Sequence, residues 1–274
     1  MRGVVLAGGL GRRLGPLTKI TNKHLLPIWD RPMIYYPLQA LAEAGFEEVV
    51  LVVGGQNVGD FMRLLGDGKS LGLKRLVYAY QEGQEGIAQA LKCAQDFCAH
   101  RKICVVLGDN IFSTSLRSYV DKFTSQKSGA RLLLKKVPDP SRFGVPQFTG
   151  RRIRRIVEKP RRPASPYAVT GIYFFDPDVF AIIDTLTPSP RGELEITDVS
   201  NAYVQRGDLK YNILPGWWTD AGTISTLHNA ARLAAKTWAR QHRPGKGHQS
   251  MPTDDQWHTS SARWLFADQG ASRK

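Results

Sequence analysis

The run Gly3–Ala7, GVVLA, is apolar throughout and stops at Gly8-Gly9. A strand with apolar side chains on both faces must be covered on both faces, so it belongs inside a parallel sheet. Three further runs repeat the theme: Glu48–Val53, Arg75–Tyr80 and Ile103–Leu107. Between them lie stretches with helical spacing, Met33–Ala44 closed by Gly45, Val58–Leu65, and Ile87–Phe97. Strands alternating with helices need right-handed crossovers, which place helices on both faces of the sheet. The expectation is an α/β fold with a mixed, mainly parallel sheet.

From Ala130 onward short strands follow one another: Arg131–Val137, Gly144–Phe148, Ile153–Val157 and Val169–Phe175. A helix is expected after Pro177, another over Glu195–Gln205, a strand over Leu209–Leu214 and a last helix over Ser225–His242. No linker-like stretch intervenes, so these elements should extend the first sheet within one domain, residues 1–243. The remainder, 244–274, is polar and reads as a mobile tail. Its Trp257, Trp264, Leu265 and Phe266 suggest docking on the body or on another subunit.

The chain carries 38 Lys and Arg against 24 Asp and Glu, a net charge of +14, which favours anionic partners. The segment RRIRRIVEKPRR, Arg151–Arg162, concentrates this charge. It lacks the interleaved aromatics of a base-stacking platform, which argues against nucleic acid, and reads instead as a solvated strand edge. Three cysteines, Cys93, Cys98 and Cys104, form no CxxC pair and suit a reducing compartment. The six histidines lack zinc-type spacing. Val4–Ala7 is too short for a signal peptide, and no run is long enough to span a membrane. The expectation is a cytoplasmic protein without a membrane or nucleic-acid partner.

The turn after the first strand, GGLGRRLGPLT, decides which anion is at issue. A dinucleotide fingerprint needs G-x-G-x-x-G; Gly9 and Gly11 fit, but Gly15 comes one place late and Pro16 follows. A P-loop needs a Lys followed by Ser or Thr, which is absent. What remains is a glycine-rich turn at the C-terminal end of a strand, where open α/β sheets bind ligands. Its backbone amides can face phosphate oxygens, Arg13 can grip two oxygens, and Lys23 adds a compact charge. This set suits a triphosphate better than a dinucleotide, with an ordinary glycine loop as the alternative.

GVVLAGGLGRRLGPLT followed by NKHLLP resembles the signature of the sugar-1-phosphate nucleotidyltransferases, L-A-G-G-x-G-T-R-L-x-P-x-T and then K-x-L-L-P. The resemblance runs over Met1–Ala235 and includes GDGKSLGL, EGIAQAL, VLGDNIF, RFGV, EKP, YAVTGIYFFD, RGELEITD and WWTDAG. It is strongest to the thymidylyl-transferring members that act on glucose 1-phosphate. It implies a Rossmann-like fold of the nucleotide-diphospho-sugar transferase type and a Mg²⁺-dependent transfer from dTTP to glucose 1-phosphate, releasing pyrophosphate. Members transferring uridylyl or cytidylyl groups, and non-catalytic sensors of nucleotide sugars, are the alternatives. Members commonly assemble as dimers or tetramers.

By the same resemblance Arg13 and Lys23 would hold the triphosphate and the leaving pyrophosphate. Leu6, Gly8, Gly9 and Gly11 would shape the nucleotide site, Gln81 and Gly86 would read the base, and Asp109 would meet the nucleotide. Asp109 and Asp220 would hold the Mg²⁺. Gly144, Glu158, Lys159, Thr170, Gly171, Tyr173, Arg191 and Trp218 would bind the sugar phosphate. Two departures stand out: Arg12 replaces the usual Thr, and Phe143 lacks the phenol oxygen common before Gly144. The longer helical C-terminal region associated with allosteric control is not matched, so feedback inhibition of that type is not implied.

Overall fold

The computed structural model describes residues 1–98 and 100–241. In chain order its elements begin with β1 (Arg2–Ala7), the short hairpin β2 (Pro27–Ile28) and β3 (Arg31–Pro32), and α1 (Tyr35–Glu43). Next come β4 (Glu48–Gly54), α2 (Val58–Leu65), β5 (Arg75–Gln81), α3 (Ile87–Lys92), α4 (Gln95–Cys98) and β6 (Ile103–Leu107). After these lie β7 (Asn110–Phe112), α5 (Arg117–Thr124), β8 (Ala130–Lys136), β9 (Gly144–Thr149), β10 (Arg152–Glu158) and β11 (Tyr167–Phe175). The described part ends with α6 (Val179–Asp184), α7 (Ile196–Gln205), β12 (Leu209–Ile213), β13 (Trp218–Asp220) and α8 (Ile224–Gln241).

Seven strands form one sheet in the order β12-β8-β11-β6-β1-β4-β5. β1 pairs in parallel with β4 and β6, β4 with β5, and β12 with β8. β11 runs antiparallel to both of its neighbours. The fully apolar runs sit centrally because alternate residues enter opposite cores. Val4, Leu6, Val50, Val52 and Val105 face one core, with Leu91, Phe180, Ile183, Val199 and Tyr203. Val5, Ala7, Leu51, Val53 and Val106 face the other, with Leu38, Leu41, Phe61 and Phe123. Each such fully buried side chain contributes roughly 1.5–3 kcal/mol of transfer free energy. Both faces are therefore covered by helices. No described helix is long and apolar enough to cross a membrane.

The structure differs from the sequence-based expectations in three places. The helix expected over Ile87–Phe97 is broken at Cys93-Ala94, where the Ala94 amide reaches only three residues back, to Leu91, at 3.0 Å. Secondly, β9 and β10 form a separate two-stranded sheet instead of extending the large one. The side chain of Asn201 on α7 takes the place of a neighbouring strand, bonding the amide and carbonyl of Ile156 at 2.8 and 2.9 Å. Thirdly, α5, β2, β3, β7 and β13 are additional to the elements expected. The expected tail at 244–274, with its four large apolar residues, lies outside the described residues.

Candidate active site

β1 delivers the glycine-rich turn to the C-terminal edge of the sheet. Gly8 is close against Gln81, whose side-chain oxygen occupies the space any Cβ at Gly8 would need. Gly11 adopts a left-handed conformation, φ 66°, and opens a single 3₁₀ turn, Arg12–Leu14, anchored by buried Leu14. Arg13 on this turn projects toward Gly222 and the Asp220 carboxylate; a Cβ on Gly222 would lie 3.0 Å from its guanidinium and 3.3 Å from that carboxylate. A further 3₁₀ turn, Lys23–Leu25, is capped by Asn22, whose side chain accepts from the His24 amide. This cap sets Lys23 beneath the glycine turn, with its Nζ 2.6 Å from Asp109 Oδ2.

Two carboxylates distant in the chain meet here through three-residue strands. β13 pairs antiparallel with β7, with Asp220 opposite Asn110. The Ala221 amide donates to the Asp109 carbonyl at 2.8 Å. Burial, and then the charge of Asp109, push the Asp220 carboxyl up to about 6. Burial would push Asp109 up as well, but the Lys23 charge, His24 and the hydrogen bonds from Lys23 and Asn110 together outweigh it and hold that carboxyl well below its usual range. Each carboxylate has a basic neighbour: Lys23 on Asp109, and Arg142 at 3.4 Å from Asp220. Among the described residues no cluster of three His, Cys, Asp or Glu could enclose a metal ion. His24 is buried below Gly108; burial and the Lys23 charge lower its imidazole to about 3.

Asn110, which the sequence reading passed over, ties the centre together. Its Oδ1 accepts from the Gly171 amide at 2.9 Å and from Trp218 Nε1 at 2.7 Å. Its Nδ2 donates to Asp109 Oδ1 at 3.0 Å. A Cβ at Gly171 would come within 2.6 Å of that side chain, so glycine is needed for β11 to pass so near.

The opposite wall is built by the β9–β10 hairpin and the start of α7. Glu158, at the end of β10 and opposite Gly144, accepts from the Thr197 hydroxyl at 2.6 Å. Lys159 takes a left-handed backbone, φ 42°, with its Nζ 3.3 Å from Glu158. Phe143 and Trp218 meet edge-to-face at 5.2 Å. Burial and Glu158 raise the Tyr173 phenol, which stays neutral. On the sheet's other side, Gln81 is buried and donates to the Gly86 carbonyl at 3.4 Å.

These walls enclose one cleft of about 380 Å³. Leu6, Gly8, Gly9, Arg13, Lys23, Gln81, Gly86, Asp109, Gly144, Glu158, Lys159, Gly171, Tyr173, Trp218 and Asp220 all line it. Three of the expected residues do not. Gly11 lies behind the turn, packed against Lys23. Thr170 is fully buried, its hydroxyl donating to the Leu133 carbonyl at 2.8 Å. Arg191 is drawn to carboxylates: Glu195 at 2.7 Å, Glu193 at 3.3 Å and Glu158 at 3.7 Å. Besides Asn110, the wall includes His24, Gln84, Arg142 and Thr197, which the sequence reading did not single out. His24, Asn110, Arg142 and Thr197 each lie in a block that carries the resemblance, NKHLLP, VLGDNIF, RFGV and RGELEITD, and that was the signal for them; Gln84 lies just before EGIAQAL.

The cleft lies at the C-terminal ends of the central strands, with Arg13, Lys23, Asp109 and Asp220 at one end and Glu158 and Lys159 on the opposite wall. The family model described as nucleotidyl transferase matches residues 2–237. The chain belongs to this nucleotidyl transferase family. Glucose-1-phosphate thymidylyltransferase of Neisseria meningitidis serogroup A is 43% identical over 235 residues, covering 84% of this chain and 81% of that protein. The enzyme of the same name from Xanthomonas campestris pv. campestris strain B100 is 42% identical over 244 residues, 88% of this chain and 82% of its own. A Bacillus anthracis protein, assigned as a glucose-1-phosphate thymidylyltransferase and solved with sucrose, is 48% identical. It superposes with a TM-score of 0.82 over 90% of this chain and 98% of its own. A UDP-glucose pyrophosphorylase solved with UDP-glucose shares the fold, at 23% identity and a TM-score of 0.77 over 86% of this chain and 98% of its own. This nucleotidyl transferase therefore has the nucleotide-diphospho-sugar transferase fold.

Proposed function

We propose that the chain transfers a thymidylyl group from dTTP to glucose 1-phosphate, forming dTDP-glucose and pyrophosphate. The observation that carries this reading is the β7–β13 register. It sets Asp109 and Asp220 side by side at one end of the cleft, with Arg13 and Lys23 against them. A sugar-phosphate oxygen attacks the α-phosphorus, the bond to the bridging oxygen breaks, and pyrophosphate departs. The phosphate dianion is already nucleophilic and needs no general base. The task is to bring two anions together and to hold the charge that develops between them.

In this reading Arg13 and Lys23 hold the β- and γ-phosphates, Lys23 exchanging Asp109 for phosphate when the nucleotide enters. Gln81 presents its amide to the N3–H and O4 edge of thymine. Trp218 and Phe143 flank the sugar, and Glu158, oriented by Thr197, accepts from its hydroxyls. Lys159 meets the sugar's phosphate, with Arg191 joining it by leaving its carboxylate partners.

The donor set fits a hard divalent cation. Two half-buried carboxylates supply oxygen ligands, and Asp220 is raised first by burial and then by repulsion from Asp109, which such a cation relieves. With only two protein carboxylates, phosphate oxygens and water would complete the shell, which suits Mg²⁺. When bound, Mg²⁺ neutralises phosphate charge and steadies the leaving pyrophosphate. We also read the protein as cytoplasmic and as an assembly of identical copies. Its three cysteines are free thiols, and Trp29, Tyr36 and Trp217 line a cleft on one face, a composition common at subunit contacts.

The test is product identification by mass spectrometry after incubation with mixed nucleoside triphosphates, mixed sugar 1-phosphates and Mg²⁺. dTDP-glucose as the main product is expected. A preference for UTP or CTP above about tenfold would overturn the base assignment, since a methyl group in an apolar pocket discriminates by about 10–200-fold. Absence of any nucleotide sugar would overturn the enzymatic reading.

A further inference from the structure

The glycine-rich turn leaves the sheet where the β1–β4 pairing ends, at Ala7 with Val53. Among the described residues, the side-chain hydrogen bonds that reach residues 8–10 both come from Gln84. Its Nε2 donates to the Gly8 carbonyl at 2.9 Å, and its Oε1 accepts from the Leu10 amide at 3.4 Å. The same Nε2 donates to the carbonyl of Gly83 at 3.0 Å, which fixes the amide's own orientation. Gln84 lies in the short connection between β5 and α3, whose two ends are Gln81 and Gly86. The backbone of that connection is also fastened just before the start of α7, where the Leu194 amide donates to the Glu85 carbonyl at 2.7 Å. Besides the packing of Gln81 against Gly8, the residues assigned to the base and those assigned to the phosphates are thus joined by the hydrogen bonds of one side chain.

Gln84 is exposed, so its bonds add little to the stability of the fold, because water can replace them. Their effect on the turn is larger. A turn containing Gly8, Gly9 and Gly11 has many accessible conformations. Apparent affinity for phosphate is proportional to the fraction of time the turn spends in its binding form. A base seated on Gln81 and Gly86 immobilises the connection, and Gln84 passes that order to Gly8 and Leu10. The long bond to the Leu10 amide is the one a phosphate oxygen can replace, while the shorter one keeps the turn in place.

We propose that Gln84 is a positioning residue that couples base binding to pyrophosphate binding; this rests on the nucleotide reading of the cleft given above. Coupling of this kind is reciprocal, so it can be measured without turnover.

The experiment is titration calorimetry of pyrophosphate in the presence of Mg²⁺, with and without saturating thymidine. For the unaltered protein, thymidine should tighten pyrophosphate binding about three- to tenfold, the equivalent of one net hydrogen bond. In Gln84→Ala that gain should fall to nearly onefold with the melting temperature unchanged. Gln84→Met, close in size but unable to make either bond, should behave the same way, and it serves as the reading if the alanine variant folds poorly. Equal coupling in the variants, or no coupling in the unaltered protein while both ligands bind, overturns the proposal. If neither thymidine nor pyrophosphate binds the unaltered protein, the nucleotide reading itself fails and takes the proposal with it.

Discussion

Replacing Asn110 by alanine removes the side chain that ties Asp109 to β11 and β13. Asn110 is 2% exposed, so water does not reach the groups it serves. The substitution strands the Gly171 amide on β11 and the Trp218 indole N–H on β13. An unsatisfied buried donor costs about 1–3 kcal/mol, so the loss should be about 2–6 kcal/mol. A water entering the vacated space would bring it to the lower end. Against a total stability of about 5–15 kcal/mol, this is a large fraction. It should also exceed a purely global effect. β13 has three residues, and the Asn110–Trp218 bond is what fixes its one large side chain. Loosening β13 displaces Asp220, so turnover should fall even under conditions where the variant remains folded.

Urea unfolding followed by far-ultraviolet circular dichroism measures the first effect, and kcat measured well below the unfolding transition measures the second. Asn110→Asp separates them. It keeps an acceptor for both donors but sets a carboxylate oxygen in place of Nδ2, 3.0 Å from Asp109 Oδ1. It should be more stable than the alanine variant yet comparably inactive. A loss below about 1 kcal/mol in Asn110→Ala, with kcat/KM unchanged, would refute the reasoning.

Asp109→Ala should lower Mg²⁺-dependent turnover on the order of a hundredfold or more, read as pyrophosphate release, while a wild-type rate would remove this carboxylate from the metal site. Thr197→Val leaves Glu158 without its 2.6 Å donor and should raise KM for the sugar phosphate about three- to tenfold with KM for the nucleotide unaltered, as initial rates against each substrate would reveal. The pH dependence of stability, measured in chelator, should show two opposing contributions. His24 titrates near 6.5 when unfolded and about 3 when folded, so the unfolded chain binds the extra proton and acid destabilises, from pH 6.5 downward. Asp220 titrates near 3.8 when unfolded and about 6 when folded, so the folded chain binds the extra proton and acid stabilises between those values. From pH 6 to 4 the two slopes, each about 1.4 kcal/mol per pH unit, should cancel. Chemical denaturation of His24→Gln should expose a gain in stability on acidification, and Asp220→Asn a loss; identical slopes in all three proteins would contradict the assignment.

The sheet was legible because its strands are long enough to reveal their environment. GVVLA and ICVVL cannot be half-exposed, and their glycine endings place a ligand-binding edge. What the chain conceals is the part that assembles the carboxylates. A three-residue strand shows no period, so neither NIF nor WTD announces its pairing, and their register is set by bonds across the fold. Asn110 looked like a mere successor to Asp109, although its acceptor serves two other strands. Thr170 stands beside Gly171 in a promising block, but β11 loses regular register with β8 between Val169 and Tyr173, and its hydroxyl is spent on Leu133. Arg191 illustrates the electrostatic limit of reading residue by residue. Its affinity for a phosphate has to compete with Glu193 and Glu195 nearby in sequence and with Glu158 from another strand. Lys23 faces the same competition from Asp109. In the free protein both cations rest on carboxylates that border the cleft, so the charges a substrate must displace are already balanced before it arrives. The cleft then holds its basic groups close to where phosphates enter without leaving them uncompensated, and that arrangement combines local partners, Glu193 and Glu195 for Arg191, with pairings across the fold, Lys23 with Asp109 and Arg191 with Glu158, that no local pattern encodes.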